Sequence, residues 1–198
     1  MANHVWNNVQ LYTSDGKPLD VFSPLTDKEV MLDNAHEVLN FLGVDLPDED
    51  TVNTRDWYID NIGAKWCSIE DIGENYLALN SAWCPPTELV VNMVKALSEQ
   101  YPDCYGTITY EDEAYCFVGS ALITKDGIDE MNELDTDDIL EQFNEQQELE
   151  GEPTAEELND VFEEELTDNF YDFIMTRLSL NLDEMVDCYL EYIAEENS

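Results

Sequence analysis

The chain has 198 residues, 43% of them hydrophobic, and carries 47 acids against 7 bases for a formal net charge of −40. That apolar content, with 10 Tyr, 7 Phe and 4 Trp, is enough to bury a core and excludes wholesale disorder. No apolar run approaches the roughly 18 residues that a membrane span needs. The opening Met1-Ala2-Asn3-His4 has no basic region leading into an apolar stretch, so no secretory signal is expected.

Five scattered cysteines, Cys67, Cys84, Cys104, Cys116 and Cys188, form no CxxC pair. They read as free buried thiols in a reducing cytoplasm. The acids are unevenly placed: residues 1–125 hold 21 acids and 6 bases, and residues 126–198 hold 26 acids and only Arg177. Self-repulsion at that density opposes compaction, so salt, a cation or a basic partner must compensate.

In chain order, Val5 to Tyr12 reads as a strand, followed by an Asp15-Gly16 turn. Thr26 and Glu29 have capping-box spacing and predict a helix to Leu42. Val30, Val38, Phe41 and Leu42 would face inward, and Gly43 would end the helix. After an acidic loop at Asp48, Glu49 and Asp50, the stretch Trp57 to Ile72 reads as extended. Gly73-Glu74-Asn75 turns it into a strand from Tyr76 to Trp83. Pro85-Pro86 opens a helix from Thr87 to about Gln100, with Leu89, Met93, Val94 and Leu97 inward. Cys104 to Tyr110 and Tyr115 to Ile123 then flank a turn at Glu111-Asp112-Glu113.

The order is strand, helix, strand, strand, helix, strand, strand. This is a split βαβ arrangement plus one strand: an α+β domain over residues 1–125, ferredoxin-like, with helices on one face of an antiparallel sheet.

From Gly127 three helical patterns follow, predicting an acidic all-α region over residues 126–198. The first, about Thr136 to Leu149, buries Ile139, Leu140 and Phe143. Thr154 and Glu157 form a second capping box, opening a helix to about Leu178. Its stripe is Leu158, Val161, Phe162, Leu166, Phe170, Phe173 and Ile174. A last helix, about Leu182 to Ala194, carries Leu182, Met185, Val186, Tyr189, Leu190 and Ile193.

Several short motifs carry a resemblance: Gly63-Ala64-Lys65-Trp66, Ala82-Trp83-Cys84-Pro85-Pro86, Tyr101-Pro102, Phe117-Val118-Gly119, and the opening Asn3-His4-Val5-Trp6-Asn7-Asn8. Together they resemble the YubB-type ferredoxin-like family of small phage and conjugative-plasmid proteins, over about 120 residues. That family more often has Trp-Cys before the Asn. The resemblance implies a ferredoxin-like fold and a mobile-element origin, hence the host cytoplasm, and it brings no catalytic residues.

Catalytic signals are weak. His4 and His36 sit in no nucleophile motif, and neither a P-loop nor GxGxxG occurs, so no enzyme and no cofactor are expected. Asp126-Gly127-Ile128-Asp129 and Asp135-Thr136-Asp137-Asp138 hint at calcium but miss the loop's ligand positions, so no metal site is expected. Trp57, Trp66 and Trp83 could stack bases, but a chain with seven bases repels a polyanion. Core packing is the expectation for all three, and neither nucleic acid nor membrane is an expected partner.

The acids themselves remain. Glu156, Glu157, Asp160, Glu163, Glu164, Asp168 and Asp172 fall outside the apolar stripe of the second helix. At 1.5 Å per residue they give one charge per roughly 3.4 Å, the spacing of phosphates along one DNA strand. Asp137, Asp138, Glu141, Glu145 and Glu148 supply a second row. The pattern predicts a DNA-mimic inhibitor that occupies the basic channel of a DNA-binding protein or host defence complex. An acidic adaptor for a basic partner that is not a DNA enzyme is the alternative, and so is a homodimer burying its aromatics. Whole-surface salt adaptation would spread the acids evenly, which this chain does not do.

Overall fold

Apolar residues are dense from Val5 to Tyr12, and the chain there forms β1 (His4–Tyr12), along which burial alternates. Val5, Val9 and Leu11 are buried on one face, and Trp6, Asn8 and Gln10 point to the other. The structure, a computed structural model, describes residues 3–26, 32–113, 117–134 and 165–196, without the side chains of 165–170 and 196. The described elements continue with α1 (Ala35–Phe41), α2 (Glu49–Val52), α3 (Arg55–Asn61), β2 (Cys67–Ile72), β3 (Tyr76–Ala82) and α4 (Thr87–Leu97). β4 (Tyr105–Asp112), β5 (Val118–Thr124), β6 (Gly127–Leu134) and α5 (Glu165–Glu196) complete them.

The strands form one antiparallel sheet in the order β2-β3-β1-β4-β5-β6. The β2–β3 hairpin lies on one side of β1, and α4 carries the chain across to β4 on the other. This is the split βαβ order anticipated from the sequence, extended by β5 and β6.

The main core lies between the sheet and α1, α3 and α4, around Phe22, Leu39, Ile62, Leu77, Leu89, Met93 and Ile108. α4 turns its expected face inward: Leu89, Met93 and Val94 have no exposed surface. It approaches β4 closely because residue 106 is glycine. A Cβ there would sit 2.6 Å from Val90 Cγ1.

α5 lies across the opposite face, over β5 and its neighbours, in two smaller clusters. Ile174 and Leu178 pack on Val118, while Met185 packs with Leu122 and Tyr105. Burying side chains of this size contributes about 1.5–3 kcal/mol each, so α5 has a real hydrophobic seat.

Local corrections to the expected elements have identifiable causes. Thr26 does not cap α1. It ends a 3-10 turn over Ser23–Leu25, with its hydroxyl donating to the Ser23 carbonyl. The helix instead starts after Asn34, where the Glu37 carboxylate accepts from the Asp33 and Asn34 N–H groups. Val30 lies outside the described residues, Val38 is buried as expected, and Phe41 is 42% exposed.

Trp57 to Asn61 is helical, because the Thr54 hydroxyl accepts from the Trp57 N–H and starts α3. Glu111 and Asp112 belong to β4 rather than to a turn. The segment from Gly127 is a strand, β6, whose Asp129, Glu130 and Glu133 blunt a sheet edge that would otherwise invite pairing. α5 runs unbroken through Ser179 to Asn181, where two helices were expected, since neither Gly nor Pro interrupts it. The expected helix over Thr136–Leu149 and the capping box at Thr154 and Glu157 lie outside the described residues.

Candidate interaction surface

Of the twelve carboxylates singled out in the sequence, ten lie outside the described residues: Asp137, Asp138, Glu141, Glu145, Glu148, Glu156, Glu157, Asp160, Glu163 and Glu164. Asp168 lies on α5 with only its backbone described. Asp172 is described, exposed on the first turns of α5. Further along the helix, Asp183, Glu184, Asp187, Glu191 and Glu195 are also exposed. Among the described residues one ion pair forms, Lys17 with Asp15, far from these acids in sequence. Arg177, the sole base after residue 126, lies 5.3 Å from the centroid of the Phe173 ring, a cation–π contact, rather than pairing with a carboxylate.

Beside α5 the sheet is left partly open. α5 covers the β4–β5 half, and a groove of about 190 Å³ remains between it and β1, β3 and β4. Strand alternation places Trp6 and Asn8 of β1, Ala78 of β3, and Thr109 and Glu111 of β4 on this face. Tyr171, Met175 and Leu178 of α5 form the opposite wall. Trp6 is 45% exposed, and Tyr171 is exposed at the rim next to Asp172.

Glu111 is the charged group of the groove. Its Oε2 is fully covered and has no hydrogen-bond partner among the described residues. Burial raises its carboxyl above the usual range. Burial likewise raises the Tyr171 hydroxyl, helped by the negative charges of Glu111 and Asp172. At the far end of α5, burial above all pushes both Tyr105 and Tyr189 up to about 12, with the neighbouring Tyr12 hydroxyl next at Tyr105 and the Asp103 carboxylate next at Tyr189.

The other candidates from the sequence fall elsewhere. His36 Nδ1 lies 2.6 Å from the Tyr58 hydroxyl, and burial lowers the pKa of its ring. Trp57 packs against the main core as expected. Trp66 is half-buried, edge-on to His4. Trp83 departs from the core expectation. It is 49% exposed at a left-handed φ of 72°, with Lys65 Nζ 5.0 Å from its ring centroid. Among the described residues no three His, Cys, Asp or Glu side chains gather as a metal-binding group, and no helix is long and apolar enough to cross a membrane.

Glu111 escaped the sequence reading because its acidic neighbours marked a turn. Trp6 was legible in part, since alternation from Val5 puts it opposite the buried residues of β1.

Residues 62–158 match the family described as the ferredoxin-like domain in Api92-like protein. The match supports a ferredoxin-like family for this domain, in agreement with the strand order. It begins at the end of α3 and covers all the strands after β1. No curated protein matches the chain, and no solved structure does.

Proposed function

We propose that this chain is a non-enzymatic DNA mimic: it occupies the basic DNA-binding channel of a DNA-processing protein and blocks it competitively. The carrying observation is the 26 acids against Arg177 over residues 126–198. The acids with described side chains on α5 support it, being exposed and without ion pairs among the described residues. Solubility needs no such imbalance. Opposite charges would steer the encounter and make it fast and salt-dependent.

The YubB-type likeness, with its phage and plasmid setting, makes a host defence complex in the host cytoplasm the natural target. The proposed contact residues are the twelve carboxylates singled out in the sequence, from Asp137 to Asp172.

The test is capture of a partner from host lysate at low salt, with and without excess duplex DNA. One DNA-processing complex that duplex displaces supports mimicry, and a partner indifferent to duplex overturns it in favour of the acidic adaptor. In a purified system, a folded variant with Glu157, Asp160, Glu164 and Asp168 all changed to Lys should lose inhibition. Undiminished inhibition by that variant would sink the proposed surface.

A further inference from the structure

The groove beside α5 has a chemistry that the rows of exposed acids do not. Its floor holds one carboxylate, Glu111, half-buried and with Oε2 covered and unpartnered among the described residues. A buried polar atom without a partner is costly, and most acids of this chain avoid that cost by staying in water. The walls are aromatic and apolar, with Trp6 on the sheet side and Tyr171 and Met175 on the helix side. Asn8 and Thr109 add neutral polar groups.

At about 190 Å³ the space is smaller than the roughly 300 Å³ at which small-molecule pockets begin. It is the size for one side chain entering from outside.

We propose that the groove between α5 and the sheet receives an arginine side chain of the basic partner, its guanidinium held by Glu111 and stacked against Trp6. The proposal rests on the acidic-partner reading above and names the anchor within it. Arginine fits better than lysine because its planar fork can meet a carboxylate along one edge while its face lies on an indole. Oε2 itself is covered, so the guanidinium would meet the half-buried carboxylate at its other oxygen, and the incoming charge would offset the burial of the group. The outer acids would then attract the partner, and the groove would fix its register.

The test uses the full chain, with Nα-acetyl-arginine amide as the probe and Nα-acetyl-citrulline amide as its neutral counterpart. The indole N–H of Trp6 is followed by NMR at physiological ionic strength, its signal assigned with Trp6→Phe. The expected result is a saturable shift with the arginine amide and none with the citrulline amide. Affinity should fall about tenfold in Glu111→Gln, the loss of a charge-assisted hydrogen bond.

Glu111→Gln changes one of 47 acids, so general attraction of a cation to the chain persists in it. Tyr171→Leu, at the exposed rim, is a second variant and should weaken binding severalfold with the sheet signals unmoved. An unmoved Trp6 signal, an equal response to citrulline, or unchanged affinity in Glu111→Gln overturns the proposal. If the amide fails to bind while duplex still displaces a captured partner, the anchor fails and mimicry stands. If the amide binds and no DNA-displaceable partner exists, the reverse holds.

Discussion

Truncating Ile174 tests whether α5 is seated on the sheet as described. Ile174 has no exposed surface and packs with Val118 and Leu178, bordered by half-buried Leu134, Phe173 and Met175. Ile→Ala substitutions in cores cost about 2–5 kcal/mol, depending on how far the site collapses. This cluster is small and has flexible neighbours, so Ile174→Ala should cost about 2–3 kcal/mol. Leu180, 57% exposed on the same helix, is the control, and Leu180→Ala should stay within about 0.5 kcal/mol. If α5 unfolds with the rest, Tm falls by about 4–12 °C. If α5 detaches alone, the loss appears in hydrogen exchange of the α5 amides while α4 keeps its protection. Native-state exchange and urea titration together cover both cases. An Ile174→Ala variant indistinguishable from Leu180→Ala in both measurements would refute the seating of α5, and the groove with it.

Three further outcomes follow from the same geometry. Burial raises the Glu111 carboxyl, so the native state holds this proton to higher pH than the unfolded chain does. The resulting stability is present below the ordinary Glu value of about 4.3 and is lost as pH rises through the raised value. Glu111→Gln should therefore gain stability relative to wild type at pH 7 compared with pH 4 in urea titrations; an equal difference at both pH values contradicts the burial. Gly106→Ala puts a methyl 2.6 Å from Val90 Cγ1 and 3.2 Å from Leu11 Cδ2, so overpacking should cost about 1–3 kcal/mol, read from the urea midpoint. Exposed Cys188 should react with a thiol reagent in the native state, whereas Cys67 and Cys104 should react only on unfolding. Labelling of either buried thiol in the folded protein, located by mass spectrometry, counts against the core as described.

The sequence carried the architecture where periodicity was strong. The α4 stripe, the apolar strand from Val5 to Tyr12 and the β2–β3 turn all formed as their patterns required. It misled where local chemistry had two solutions. Thr26 has a capping residue's chemistry but closes a 3-10 turn, and α1 starts after Asn34, where Glu37 completes a capping box. Trp57 and its neighbours are β-formers by type, but a Thr54 cap made them helical. β6 was hidden because Asp129, Glu130 and Glu133 give an edge strand the look of a solvated helix. The candidate groove was hidden for a further reason. It joins residues 6, 78, 109, 111, 171 and 175, which only the strand order and the return of α5 bring together.

The pair Glu111 and Asp112 shows why the groove carboxylate stands apart from the general acidity. Adjacent on β4, they face opposite sides of the sheet. Asp112 is fully buried and satisfied: Asn3 Nδ2 donates to it at 2.8 Å and the Phe117 N–H at 3.2 Å. Its carboxyl oxygens are used internally, tying Asn3 to the β4–β5 connection. Glu111, one position earlier, has a covered oxygen with nothing to accept from among the described residues. A structural role would call for a donor there, as at Asp112, and a solvated role would call for exposure, as at Asp172. Glu111 is half-buried and its covered oxygen has no donor among the described residues, while an aromatic wall beside it is left open to solvent. That combination is what an anchor for an external cation requires: the cost of holding the carboxylate out of water is met when the partner's charge arrives.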